Sequence, residues 1–228
     1  MSGTVIAIGG FSPEHDADPL HRFVVDAAKR PKPRICHVPL ASGDFELFNE
    51  LFYEQYPPSV CTPTHLQLLR EVPRDPKEVL ASQDIVYLSG GSTPVLVAGL
   101  RVLGLDEVIR DVWHRDGVVC GHSAGAHVSF RGCISDSLGP ELQVFSDGLG
   151  IIDGSCAAHA DSQRDAILRS ALSSGRLMGP AWAIEDDAAV SFSAGATYAV
   201  SWRPDAAVSV LTLQASDVHA DSLEVMPL

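Results

Sequence analysis

The chain lacks the marks of several protein classes. Basic residues are few, 16 Lys and Arg against 29 Asp and Glu in 228 residues, for a formal net charge of −13. No basic stripe stands out, which argues against a nucleic-acid partner, and the acidity reads as a source of solubility. The five cysteines, Cys36, Cys61, Cys120, Cys133 and Cys156, are odd in number and widely spaced. With no Cys-x-x-Cys among them, neither a zinc ribbon nor a thioredoxin-type redox pair has support. Cys36 and Cys120 lie in apolar runs and are expected in the core, in a reducing compartment. His-Glu-x-x-His is also missing, so no metal site is expected. No apolar run reaches the length of a membrane span. The opening stretch "MSGTVIAIGGFSPEHD" has no basic region ahead of its short apolar run, so it reads as a strand and not as a signal peptide. A soluble, cytoplasmic protein without a membrane partner is expected. There is no Pro/Ser linker, internal repeat or low-complexity segment, and the length suits one domain over residues 1–228.

What is present is an alternation of short apolar runs with helical patterns. "TVIAIGG", "RICHVPLAS", "CTPTHLQLLREVP", "DIVYLSGGSTP" and "VVCGHSAG" read as strands and their exits. Between them "PLHRFVVDAAKR", "DPKEVLASQ" and "PVLVAGLRVLGLDEVIRDVWHRDG" carry apolar residues at helical spacing, and "DFELFNELFYEQYPP" is a helix or an irregular segment. Strands alternating with helices imply an α/β fold, a mostly parallel sheet flanked by helices. The C-terminal part, "PAWAIEDDAAVSFSAGATYAVSW" and "AAVSVLTLQ", reads as a small antiparallel part, on an edge or in a second sheet. Sites in such folds lie where strand ends meet helix starts. Three junctions qualify: Gly9-Gly10, Gly90-Gly91-Ser92-Thr93 and Gly121 to Gly125.

The third junction, Gly121-His122-Ser123-Ala124-Gly125, fits Gly-x-Ser-x-Gly. Small residues at its ends permit a strained strand-to-helix turn that presents Ser123, and the N–H of Ala124 can face an oxyanion. Of the nine histidines, His122 and His127 flank the elbow and are poorly placed to act as its base. His159 follows the apolar run "GLGII" at a second strand exit and is the expected base. Asp136, in "CISDSLGPE", and Glu185, in "WAIEDDAAV", are both candidates to orient it, and spacing leaves both open. Gly90 and Gly91 are expected to supply a second oxyanion donor. The rival reading of that loop, a phosphate cradle, lacks both Gly-x-x-x-x-Gly-Lys-Ser/Thr and Gly-x-Gly-x-x-Gly.

The stretches "YLSGGSTPVLVAGL", "CGHSAGAHVSF", "SDSLGPEL", "DGLGII" followed by "AAHADS", and "AWAIEDDAAV" occur in the order found in the peptidase E family, which the chain resembles from about Val5 to Val190. That family comprises serine peptidases, among them aspartyl dipeptidase and the cyanophycinases. The resemblance implies a flavodoxin-like fold similar to a class I glutamine amidotransferase. It also implies Ser123 as nucleophile, His159 as base, Glu185 as triad acid and Asp136 as a further required aspartate. Aspartyl dipeptidases carry, in a longer loop after the histidine, an arginine that recognises substrate aspartate. Here the loop is short and Arg164 is the nearest match, so strict aspartyl specificity is not expected.

The expectation is therefore a cofactor-free serine peptidase, a monomer or homodimer, acting on short peptides as a dipeptidase or other exopeptidase. Arg164 either meets a peptide carboxylate or is a surface residue. A cyanophycinase-like peptidase, an α/β-hydrolase-type esterase using Ser123, Asp187 and His219, and a non-catalytic binding protein on the same scaffold stay open as alternatives.

Overall fold

The structure is a computed structural model that describes residues 3–70, 74–215 and 217–228. The first half runs β1 (Thr4–Ile8), α1 (Asp18–Ala27), β2 (Arg34–Val38), α2 (Glu46–Gln55), β3 (Thr62–His65), α3 (Pro76–Ala81), β4 (Ile85–Leu88), α4 (Thr93–Val102), α5 (Leu105–His114) and β5 (Val118–His122). The second half adds α6 (Ala124–His127), β6 (Phe130–Ser135), β7 (Gln143–Phe145), β8 (Ile152–Ala158), α7 (Ser162–Ser173) and β9 (Ala181–Ile184). It closes with β10 (Ala188–Ser193), β11 (Ala196–Ser201), β12 (Val208–Gln214), β13 (Asp217–Ser222) and β14 (Val225–Pro227). The expected strand exit in "CTPTHLQLLREVP" runs into residues 71–73, and the opening stretch includes residues 1–2; these lie outside the described residues.

The expected α/β architecture is observed. An eight-stranded sheet has the order β3-β2-β4-β5-β1-β10-β11-β14, and its first five strands are parallel. β3-β2-β4-β5 repeats the 2-1-3-4 order of a flavodoxin-like sheet. The N-terminal strand β1 fills the next place. The C-terminal strands divide between both expected locations. The β10–β11 hairpin extends the first sheet, antiparallel to β1, while β12–β13 edges a second, six-stranded sheet of order β13-β12-β9-β8-β6-β7. That second sheet has its own parallel centre, β6-β8-β9, which the strand-by-strand reading did not foresee because α6 is a single short turn and β6 follows at once.

Alternation along the strands sets the layers. Val5 and Ala7 join one apolar cluster with Leu96, Leu100 and Ile109 of α4 and α5. The same cluster takes in Phe130, Cys156, Trp182 and Ile184, so the second sheet packs on this side. Ile6 and Ile8 face the other way, against Leu20 and Val24 of α1 and Phe52 of α2. α7 covers the far side of the second sheet through Leu168 and Leu172. The long helical pattern after Gly91 is two helices, because Gly104 takes φ +62° between α4 and α5. All five cysteines are free and buried, as expected for Cys36 and Cys120.

Candidate active site

The end of β1 organises the site. The carbonyls of three consecutive residues, Ile8, Gly9 and Gly10, accept the backbone N–H groups of Ser123, His159 and Asp187, at 3.1, 3.3 and 3.0 Å. Three chain segments distant in sequence are thereby attached to one strand exit. The glycines permit it: a Cβ on Gly9 would lie 2.0 Å from the carbonyl oxygen of Glu185. One on Gly10 would lie 2.1 Å from Asp186 Oδ1 and 2.4 Å from His159 Nδ1. This junction makes room for the neighbouring Glu185 backbone and the Asp186 and His159 side chains.

Ser123 follows β5 directly and caps α6 with φ 53° and ψ −116°. That strained turn costs on the order of 1–3 kcal/mol and is the geometry of a nucleophile elbow. Gly121 and Gly125 let it pack on β4, since a Cβ at either would meet the Leu88 carbonyl oxygen, at 2.7 and 2.0 Å. His159 follows β8, also at positive φ (53°). Its Nδ1 stands 2.6 Å from Asp186 Oδ1, a distance at which the imidazole N–H donates to a carboxylate. The two side chains are 35% and 43% exposed, so the couple opens to the surface.

The carboxylate beside His159 is thus neither of the two candidates. Glu185, one residue earlier, points elsewhere: its Oε2 accepts from Arg203 at 3.1 Å and from the Ala207 N–H at 3.2 Å. Both acids lie in the turn between β9 and β10, where a one-residue difference decides which acid meets the histidine. Asp136 pairs with Arg164 at 3.1 Å, and Arg164 also holds Asp161 at 3.1 Å. The Arg164 side chain is only 16% exposed and is engaged on both sides; Asp165, its neighbour, pairs with Arg169 instead. The only sequence signal for Asp186 was the run Glu185-Asp186-Asp187 after an apolar strand.

The oxyanion candidates divide. The N–H groups of Gly91 and Ala124 have no hydrogen-bond partner among the described residues. That of Gly90 is occupied, donating to His122 Nε2 at 3.1 Å, so Gly90 serves by packing. A Cβ there would lie 3.3 Å from Ser123 Cβ, which brings the loop against the nucleophile. Gly91 takes φ +130°, and a Cβ would fall 2.2 Å from the Ala41 carbonyl oxygen. His127 is buried on α6, and its Nε2 accepts the Ala158 N–H at 3.0 Å.

Asp187 is fully buried, accepts the Ser12 N–H at 2.8 Å and lies 3.0 Å from His15 Nδ1. His219 stands exposed on the edge strand β13, opposite Thr212. The hydrolase-type alternative therefore has its acid engaged elsewhere and its histidine on a sheet edge. Among the described residues no group of three or more His, Cys, Asp or Glu is placed to hold a metal ion.

A family model described as peptidase family S51 matches residues 4–199. The uncharacterized peptidase YgaJ of Bacillus subtilis (strain 168) is 35% identical over 187 residues, covering 81% of this chain and 80% of YgaJ. Two solved structures share the fold. A peptidase from an acI-B1 Actinobacterium superposes with a TM-score of 0.74 at 20% identity, covering 98% of both chains. A protein of Listeria monocytogenes EGD-e assigned to peptidase E superposes with a TM-score of 0.65 at 14% identity, covering 86% of this chain and 97% of its own.

Proposed function

Because the chain belongs to peptidase family S51 and is a serine peptidase, we propose that it hydrolyses short peptides through Ser123, His159 and Asp186. The observation that carries this assignment is the joint attachment of Ser123 and His159 to the adjacent carbonyls of Ile8 and Gly9, with Asp186 on His159 Nδ1.

In this reading Ser123 Oγ attacks the scissile carbonyl carbon while His159 Nε2 takes the hydroxyl proton. Asp186 accepts the Nδ1–H, fixes the tautomer that leaves Nε2 free, and stabilises the imidazolium. The carbonyl oxygen, now negative, meets the N–H groups of Ala124 and Gly91. The tetrahedral adduct collapses by breaking the C–N bond, and the His159 proton passes to the leaving amine. Water, deprotonated by the same imidazole, then attacks the ester carbon and restores Ser123.

The specificity proposed is that of an exopeptidase with no strict requirement for an N-terminal aspartate. A substrate carboxylate needs a free cation to offset its desolvation, and Arg164 is already held by Asp136 and Asp161. A panel of di- and tripeptides with free and blocked termini tests both statements. Turnover of several X-Y dipeptides that stops on blocking one terminus is expected. A preference for Asp-X above about a hundredfold, lost in Arg164→Ala, would restore aspartyl specificity. No turnover of any member, with Ser123 inert to a serine-directed phosphonate, would overturn the peptidase mechanism.

A further inference from the structure

Two histidines flank the nucleophile, His122 one residue before it and His127 four residues after it, and the mechanism uses neither. Their surroundings follow one plan. His122 Nε2 accepts the Gly90 N–H at 3.1 Å, and its Nδ1 lies 3.1 Å from the Tyr87 hydroxyl. His127 Nε2 accepts the Ala158 N–H at 3.0 Å, and its Nδ1 lies 3.3 Å from the Thr93 hydroxyl. A backbone N–H only donates, so each Nε2 carries a lone pair, and a neutral imidazole then has its proton on Nδ1. Both rings have the same tautomer, each donating to a buried hydroxyl: Tyr87 is 4% exposed and Thr93 1%. With both Nε2 lone pairs taken, neither ring is free to accept the Ser123 proton.

The two partners are informative. Gly90 precedes Gly91, whose N–H has no partner among the described residues and is the proposed oxyanion donor. Ala158 precedes His159, the base. The remaining bonds tie the same parts together. The Ser137 hydroxyl donates to the Gly91 carbonyl at 3.3 Å and accepts the Thr93 N–H at 3.3 Å, and the Ser135 hydroxyl reaches Thr93 Oγ1 at 3.4 Å. The loop of residues 90–93 is thus held at one end by His122 and at the other by His127.

We propose that His122 and His127 are neutral positioning residues: His122 holds the oxyanion loop, and His127 holds the strand end that carries the base, so that elbow, loop and base form one unit. The proposal rests on the triad reading above. It requires that both rings stay unprotonated in the working range, because an imidazolium would set N–H against N–H. Burial chiefly, with smaller contributions from His37, His159 and His21 for His122 and from His159 and Arg164 for His127, lowers each of them to about 3. The titratable and charged groups near them are Tyr87, His37, His159 and His21 for His122, and His159 and Arg164 for His127, beside the polar contacts to Gly90, Thr93 and Ala158.

Two measurements on the full chain test this. Imidazole nitrogen NMR should show His122 and His127 as neutral Nδ1–H tautomers, unchanged from pH 8 to pH 5. An Nε2–H tautomer, or titration of either ring within that range, overturns the proposal. Kinetically, His122→Phe should lower kcat by on the order of a hundredfold with KM changed less than about threefold, as for loss of an aligned oxyanion donor. His122→Gln, whose amide oxygen reaches the same N–H, should recover at least about tenfold of that loss. His127→Phe should lower kcat and move the acidic limb of the kcat/KM pH profile, which reports the free base, with His127→Gln again restoring both. Wild-type kcat in either Phe variant that keeps its Tm overturns the proposal. If a Phe variant does not fold, the Gln variant and the NMR tautomer decide. Failure of the wild type on every peptide, with Ser123 inert to the phosphonate, would sink the triad reading and not the tautomers, which are read without turnover.

Discussion

Glu185, Asp186 and Asp187 are three adjacent carboxylates with three different tasks. Glu185 binds Arg203 and the Ala207 N–H, Asp186 meets His159, and Asp187 is buried against Ser12 and His15. The division makes a sharp comparison possible. Asp186→Asn should lower kcat by about 10²–10⁴-fold, because an amide neither enforces the tautomer nor supports the imidazolium. Glu185→Gln should cost less than about tenfold, since the partly exposed ion pair it weakens, with Arg203, is not the contact made to His159. Steady-state rates on one dipeptide, with Ser123→Ala as the inactive reference, read the contrast. If Glu185→Gln were the more damaging change, the acid assignment would return to Glu185.

At the scale of elements, the elbow works only because α6 lies directly on β4. Gly125→Ala would place a methyl 2.0 Å from the Leu88 carbonyl oxygen, a backbone atom within a buried strand. Strand β4 is held on both sides, by β2 and β5, so α6 has to move. Overpacking of this kind costs about 1–3 kcal/mol and shifts Ser123 away from the loop. Gly43→Ala is the control for an added methyl without a clash: Gly43 has positive φ (+75°), unlike Gly125, but a Cβ there meets nothing within 4 Å, so only the backbone term of about 1 kcal/mol applies. Thermal unfolding together with phosphonate labelling is expected to show Gly125→Ala both destabilised and poorly labelled, and Gly43→Ala slightly destabilised but fully labelled. Equal labelling of the two would remove the link between this packing and the nucleophile.

At the scale of the molecule, four deeply buried histidines are held neutral by the fold. His21 and His37 are lowered to about 4, and His122 and His127 to about 3, in each case chiefly by burial. The unfolded chain protonates them near pH 6.5, so as the pH falls it binds protons that the folded chain does not. Their contribution to stability is complete above about pH 6.5 and is lost as the pH falls toward those folded values, at up to about 1.4 kcal/mol per pH unit for each well-buried ring. Denaturant midpoints should therefore decline between pH 7 and pH 5, above the range in which ordinary carboxylates titrate. A midpoint unchanged across that interval would show that the folded chain takes up as many protons as the unfolded one, which removes the neutral-ring account.

Much of this was legible along the chain. Periodicity marked the strands and helices of the first sheet. The Gly-x-Ser-x-Gly spacing singled out Ser123 and the strand exit after "GLGII" singled out His159 as candidates, because small residues around a turn and an apolar run ending in a polar residue are local features of the chain. What the chain order did not contain was the choice among near neighbours. Asp186 over Glu185 depends on how one strand end faces another, and the occupation of the Gly90 N–H depends on a ring 32 residues away in sequence. The engagement of Arg164 depends on a loop 28 residues before it. Each of these is an orientation set by contacts between segments far apart in sequence, and no local pattern along the chain encodes such a contact.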